Sequence, residues 1–183
     1  IHIQVQGREI PLLDGSAIEW VRAFEEVGIK RVPKPSNYMR EISEPKIFNK
    51  DKSVIGITPS NKLTIISTID FSYKAIGKQT FVIDLNPKCY VDLIAPARTF
   101  GFKDQFQQLG ELGLIKGGSL ENALVCDGDN WVNPPLRFAN EPIRHKILDL
   151  IGDLALVGLP KAQIIVYKGS HSLNALLASS LKI

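Results

Sequence analysis

Residues 141–157 restrict the fold more than any other part of the chain. Read on a helical period, Ile143, Ile147, Leu150, Ile151, Leu154 and Val157 fall on one stripe. A helix with such a stripe is stable only when another layer covers it. Asn140 stands where an N-cap belongs, Pro142 is tolerated in the first turn, and Gly158 and Pro160 close the segment.

The opposite face carries His145 and Asp149, with Asp153 one turn further on. A helix advances about 100° per residue, so side chains four apart differ by only about 40° around the axis. An imidazole and a carboxylate held this way are half of a divalent metal site, for which zinc with an open position is the usual occupant. Such a pair also serves as a plain ion pair on a helix. The third titratable group on the face favours a site.

The remaining segments mix strands and helices. Residues 2–6 and 10–13 alternate as strands do, and Asp14 or Ser16 can cap a helix over 17–27 that Gly28 ends. Residues 30–38 are basic and proline-containing, and mark a linker. Strands are expected at 46–48, 53–57, 63–71, 79–85, 123–126 and 163–167, and helices at 87–97, 103–112 and 172–181. The class is therefore α+β, in layers.

Composition sets limits. With 183 residues and 44% hydrophobic content, the chain can bury a core. A net charge of +3 is too small to indicate nucleic acid. No apolar run reaches the length of a membrane span. Cys89 and Cys126 show no paired spacing and read as reduced, buried thiols of an intracellular protein. The first residue is Ile1, so a leader is not judged from this sequence.

Outside the helix, His171 sits at a strand-to-helix junction. It is either an exposed helix-start residue or a general acid beside the central helix, oriented by Asp153. Thr99 and the pair Gly117 and Gly118 read as turn residues in isolation. Lys146 and Lys168 are solvated lysines by default, and each adjoins a candidate catalytic residue where a phosphate is readily clamped.

Taken together, IPLLDGSA at 10–17, TIDF at 68–71, ARTFGF at 97–102, GLIKGGSLENALV at 113–125, LRFANEPIRHKILDLIGDL at 136–154 and YKGSHSLN at 167–174 resemble the zinc-dependent UDP-3-O-acyl-N-acetylglucosamine deacetylases of lipid A biosynthesis. They occur in that family's order over nearly the whole chain. The resemblance implies an α+β fold of two-layer helix/sheet sandwich domains. Residues 1–34 would be the tail of a first domain and 36–183 the second, with a βαβ insert at about 101–131 that forms an acyl-chain passage.

Residue by residue, the resemblance makes His145 and Asp149 ligands of Zn2+. It makes His171 the catalytic histidine, Asp153 its charged partner, and Thr99 a hydroxyl that helps hold the oxyanion. Lys146 and Lys168 match positions near the UDP diphosphate, and Phe71 a uridine contact. Phe100 joins the substrate-binding set, and Phe102, Ile115, Gly118, Ser119, Leu120 and Val125 would line the passage. The implied reaction is hydrolysis of the N-acetyl group, releasing acetate, by a cytoplasmic monomer with no nucleic-acid partner; an organelle is the other location open.

Two departures stand out. Gly169-Ser170 replaces the family's common Ser-Gly. No Glu-His pair, the family's source of the general base and third zinc ligand, occurs in the sequence. Neither His2, in a remnant strand, nor His171 is expected to substitute, so this chain by itself is expected to be inactive. The alternative is a non-catalytic UDP-sugar-binding module.

Overall fold

A computed structural model describes residues 3–7, 10–30, 39–104, 119–133 and 135–181. The elements are α1 (Ile18–Val27), β1 (Met39–Glu41), β2 (Lys46–Lys50), β3 (Ser53–Pro59), β4 (Thr64–Asp70) and β5 (Lys78–Asp84). Then come α2 (Pro87–Cys89), which runs into a π turn at Tyr90–Ile94, and β6 (Phe100–Phe102), β7 (Leu124–Asp127) and β8 (Asn130–Trp131). Last are α3 (Glu141–Ala155), β9 (Leu159–Tyr167) and α4 (His171–Ser180).

The main sheet has the order β2-β3-β9-β4-β5, with β1 pairing parallel to the start of β9. The last long strand thus lies in the middle. β9 is antiparallel to β3 and parallel to β4. Period-two alternation buries Ile65, Ser67 and Ile69 of β4 and Pro160, Ala162, Ile164 and Val166 of β9. The register sets Ile57, Ile164, Ile65 and Ile83 in one row across four strands. Against that row lie Ile147, Leu150 and Leu154 of α3 and Leu173 and Leu177 of α4. Each such side chain contributes about 1.5–3 kcal/mol through burial. The stripe read from the sequence is the buried face of α3 from Ile143 to Leu154, while Val157 lies past the end of the helix and is only partly buried; the layered α+β class is what the chain adopts.

A smaller three-stranded sheet, β6-β7-β8, has β6 and β7 parallel, a pairing that requires a crossover between them. Most of that crossover lies outside the described residues; of the helix expected at 103–112, Lys103 and Asp104 are described and are helical. Ile69, Ile76, Phe102, Cys126 and Ile143 form a second core under this sheet.

Several local expectations are corrected. Residues 3–5 and 10–12 form no strand, and Ile10 and Leu12 are exposed; extended chain becomes a strand only beside a hydrogen-bonding neighbour. Ala17, not Ser16 or Asp14, is the N-cap of α1, and it has no side-chain bond; the Ser16 hydroxyl accepts from the Ile18 amide at 3.3 Å while it donates to Asp14 Oδ1 at 2.8 Å. Asn140 caps α3 in position alone, because its Oδ1 accepts from Arg144 Nε at 2.7 Å instead. β9 begins at Leu159, earlier than expected, since Pro160 sits where its missing N–H is tolerated beside the three-residue β1. Cys126 is buried, but Cys89 is only half-buried and accepts a bond from Asn86 Nδ2. Of the linker read at 30–38, residues 31–38 lie outside the described residues, and β1, which follows it, has no clear sequence signal.

Candidate metal centre and active site

The site is organised by a row of side chains four apart on α3: Glu141, His145, Asp149 and Asp153. Each reaches a different neighbour. The Glu141 carboxylate is completely buried. Its Oε1 accepts from the backbone N–H and the Nε of Arg98, both at 2.9 Å. Its Oε2 accepts from Arg98 Nη2 at 3.2 Å and the Arg137 amide at 2.6 Å. Four donors, two of them from guanidinium, satisfy a charge that would otherwise be costly to bury. The consequence is that residues 97–99 are held against the start of α3.

One turn on, His145 Nδ1 lies 2.9 Å from the Ala97 carbonyl. A carbonyl only accepts, so Nδ1 carries the proton. Burial lowers the His145 pKa, against a smaller raising effect of Asp149, so the ring is neutral and Nε2 presents a bare lone pair. That lone pair points toward Asp149 Oδ1, 3.5 Å away. The other carboxylate oxygen of Asp149 accepts from Lys146 Nζ at 2.8 Å.

Two acceptors facing each other across that gap fit a cation between them. For Zn–N of about 2.0–2.1 Å, Zn–O of about 2.0–2.2 Å and a tetrahedral angle, the donor atoms stand roughly 3.4 Å apart. The anchored Nδ1–H is the outer hydrogen bond that metal-binding histidines ordinarily make. Among the described residues no group of three His, Cys, Asp or Glu side chains converges, so this chain's described part offers two donors.

His171 is the first residue of α4, whose N-cap Ser170 accepts from the Leu173 amide. The ring is exposed, and its Nδ1 donates to Asp153 Oδ2 at 2.9 Å. Its Nε2 lies 4.0 Å from Asp149 Oδ2. Asn174 Nδ2 donates to the same Asp153 oxygen at 2.9 Å.

Thr99, His145 and Asp149 share a cleft of about 370 Å³ with residues of the N-terminal segment: Leu12, Gly15, Ser16 and Trp20. That segment is fastened to the site. The Thr99 amide donates to the Gly15 carbonyl at 2.7 Å, and the Ala17 amide to Ala95 O at 2.9 Å. Arg137 Nη2 meets Asp14 Oδ2 at 2.6 Å. Gly15 has φ +81°, and a Cβ there would stand 2.0 Å from the Asn122 carbonyl oxygen. Only glycine permits that approach.

Phe71, Phe100 and Phe102 form one aromatic cluster. Phe71 meets Phe100 edge-on at 5.7 Å and Phe102 at 5.5 Å, and Tyr73 stacks on Phe102 at 4.2 Å. Val125 is buried in register with Gly101, while Ser119 and Leu120 are exposed. Gly118 and Ile115 lie outside the described residues, as does His2. Lys168, with φ 55°, pairs with Asp70 at 3.0 Å, and that bond raises its pKa. Tyr167 donates to the same Asp70 oxygen, which is held below the ordinary carboxylate value, first by Lys168 and then by Tyr167.

The geometry thus brings together His145, Asp149, Asp153, His171 and Thr99, and keeps Lys168 and the aromatic cluster on separate elements. Sequence reasoning missed Glu141, though the four-residue spacing extends back to it, and Asn174, three residues past His171. The Ala97 carbonyl has no sequence signal, because any residue supplies one.

A sequence model of the family described as UDP-3-O-acyl N-acetylglycosamine deacetylase matches residues 1–182. A UDP-3-O-acyl-N-acetylglucosamine deacetylase of Synechocystis sp. is 45% identical over 183 residues, covering 99% of this chain and 66% of the relative. Proteins of the same name from Trichormus variabilis and Thermosynechococcus vestitus are 47% and 45% identical. This chain covers 66% and 63% of their respective lengths.

Proposed function

The chain belongs to the UDP-3-O-acyl N-acetylglycosamine deacetylase family, and from that premise we propose that it carries part of the active site of a zinc-dependent amidohydrolase. The substrate in this reading is UDP-3-O-acyl-N-acetylglucosamine, and the products are acetate and a free 2-amine for lipid A biosynthesis. One observation carries the reading: His145 Nε2, stripped of its proton by the Ala97 contact, faces Asp149 Oδ1 at 3.5 Å beside the His171–Asp153 pair.

Bound zinc supplies a Lewis acid that lowers the pKa of water and polarises a carbonyl. The residues of this chain do the rest. His145 is a neutral ligand whose ring plane is fixed through Nδ1. Asp149 is the anionic ligand, and Lys146 holds its second oxygen. Thr99 lines the same cleft and offers its hydroxyl to the oxyanion that forms as the acetamide carbon becomes tetrahedral. When the C–N bond breaks, the nitrogen needs a proton; His171, entering this step with a proton on each ring nitrogen, donates the one on Nε2 and is left as the Nδ1–H tautomer that Asp153 holds.

A third zinc donor and the general base that takes the water's proton are assigned to a Glu-His pair in the part of the relatives' length that has no counterpart here. In the same reading residues 1–34 close a first domain and 36–183 form the second, with the insert at about 101–131. Lys146 and Lys168 attract the diphosphate, and Phe71 stacks with uridine. Phe100, Phe102, Gly118, Ser119, Leu120 and Val125 border the acyl chain, whose burial contributes about 0.8 kcal/mol per methylene. The reaction is placed in the cytoplasm, on a monomer. No described helix is long and apolar enough to cross a membrane.

The test is elemental zinc analysis together with deacetylation assays on His145→Ala and Asp149→Ala in a protein that joins this chain to the missing donors. Loss of both zinc and turnover is expected. Full zinc content and turnover in His145→Ala would overturn the reading. Substrate binding without turnover in the unaltered protein would favour a non-catalytic UDP-sugar module.

A further inference from the structure

Asn174 sits on the second turn of α4 between Leu173 and Leu177, the residues that plant this helix in the core, and is itself only 2% exposed. Its Nδ2 donates to Asp153 Oδ2 at 2.9 Å, the same oxygen that accepts His171 Nδ1–H. Its Oδ1 is fully buried and has no hydrogen-bond partner among the described residues. A buried acceptor left unpaired destabilises the fold, and an apolar residue of the same size would avoid it. Turning the amide over does not help, because Oδ1 would then face the carboxylate. The position therefore retains an amide for its donor alone, at the expense of packing.

That donor acts on a part of the site with little other restraint. His171 is 69% exposed, so neighbouring side chains do not hold its ring. Asp153 belongs to α3 and His171 to α4, so their bond spans two elements. A second donor on the same carboxylate oxygen turns that oxygen toward α4 and fixes where Nδ1–H finds its acceptor. With Nδ1 held there, Nε2 is the nitrogen left toward Asp149, 4.0 Å away.

We propose that Asn174 is a positioning residue: its buried amide aims the Asp153 carboxylate so that His171 keeps its Nδ1–H tautomer and presents Nε2 to Asp149. The role in catalysis rests on the function proposed above; the effect on the imidazole does not.

The test compares wild type with Asn174→Leu and Asn174→Ala. In this 183-residue chain, labelled with 15N-histidine, long-range proton–nitrogen spectra read the His171 tautomer and thermal unfolding reads stability. The expected result is a loss of the Nδ1–H preference in both variants, with the unfolding midpoint of Asn174→Leu unchanged or raised. In the protein completed with the missing donors, kcat is expected to fall about tenfold at unchanged KM, as on loss of an outer hydrogen-bond partner. An unchanged tautomer in both folded variants overturns the proposal. So does a kcat loss that merely follows the fraction unfolded. His171→Ala is the control: if it leaves kcat intact, the catalytic reading fails, while the tautomer measurement still decides the role of Asn174.

Discussion

His145 Nε2 stands 3.5 Å from Asp149 Oδ1, and the ring's proton is held on the far nitrogen by the Ala97 carbonyl. The contact is therefore not a hydrogen bond, although the two residues have the spacing of a helical ion pair. Burial lowers the His145 pKa, which removes the charge an ion pair would need. The arrangement is one that a cation, not a proton, completes.

A direct consequence is that zinc should stabilise this chain. A ligand that binds only the folded state raises stability by about 2.7 kcal/mol when present at about a hundred times its dissociation constant. Thermal unfolding with and without zinc is expected to show a midpoint that rises with metal concentration. His145→Ala and Asp149→Ala should each abolish the rise. An equal rise in His145→Ala would place the metal elsewhere.

Glu141 invites a second measurement. The buried carboxylate takes donors from Arg98 and Arg137, and residues 97–99 carry both the His145 anchor and Thr99. Removing one member of a buried ion pair costs about 3–5 kcal/mol, since the other charge is left without compensation. Glu141→Ala is therefore expected to lose that much in urea unfolding at neutral pH. A loss below about 1 kcal/mol would mean that water replaces the carboxylate freely.

What the sequence disclosed and what it hid follow from physical range. The α3 stripe and the alternation of β4 report burial directly, so the layered class and the main strands were readable. His145, Asp149 and Asp153 were readable because helical spacing is a local rule, and His171 because a strand-to-helix turn has its own residues. Sheet order was not, since β9 enters between β3 and β4 through non-local pairing. The alternation of 2–6 and 10–13 misled for the converse reason: a local pattern does not supply a partner strand. The Ala97 carbonyl and the orphaned Asn174 Oδ1 arise from tertiary contact alone.

Gly15 tests how the N-terminal segment is held. With φ at +81° and the Asn122 carbonyl 2.0 Å from its missing Cβ, alanine requires backbone to move. A cost of about 1–3 kcal/mol is expected, as for other residues forced into such conformations. The Thr99 amide, which donates to Gly15 O, should lose protection in hydrogen exchange. Unchanged protection in Gly15→Ala would show that Thr99 is fixed by the smaller sheet alone.

Asp14 gives the chain a pH-dependent component whose sign is determined. Burial pushes its carboxyl upward, but bonds from the Ser16 hydroxyl, from Arg137 and from the Ser16 amide outweigh this and leave the pKa below the ordinary value. The unfolded state then takes up the proton more readily than the folded state. The stabilisation from this carboxylate is present in full above its unfolded pKa of about 3.9, and is lost as pH falls through the lower folded value. Asp14→Asn has no such group. The stability gap between wild type and Asp14→Asn should stay constant from about pH 7 to 5 and close below about pH 4. Denaturant unfolding over a series of pH values reads the gap. A gap that persists or widens at about pH 3 would show that the contacts of Asp14 with Arg137 and Ser16 stabilise the chain without the charge, through packing of the 10–17 segment.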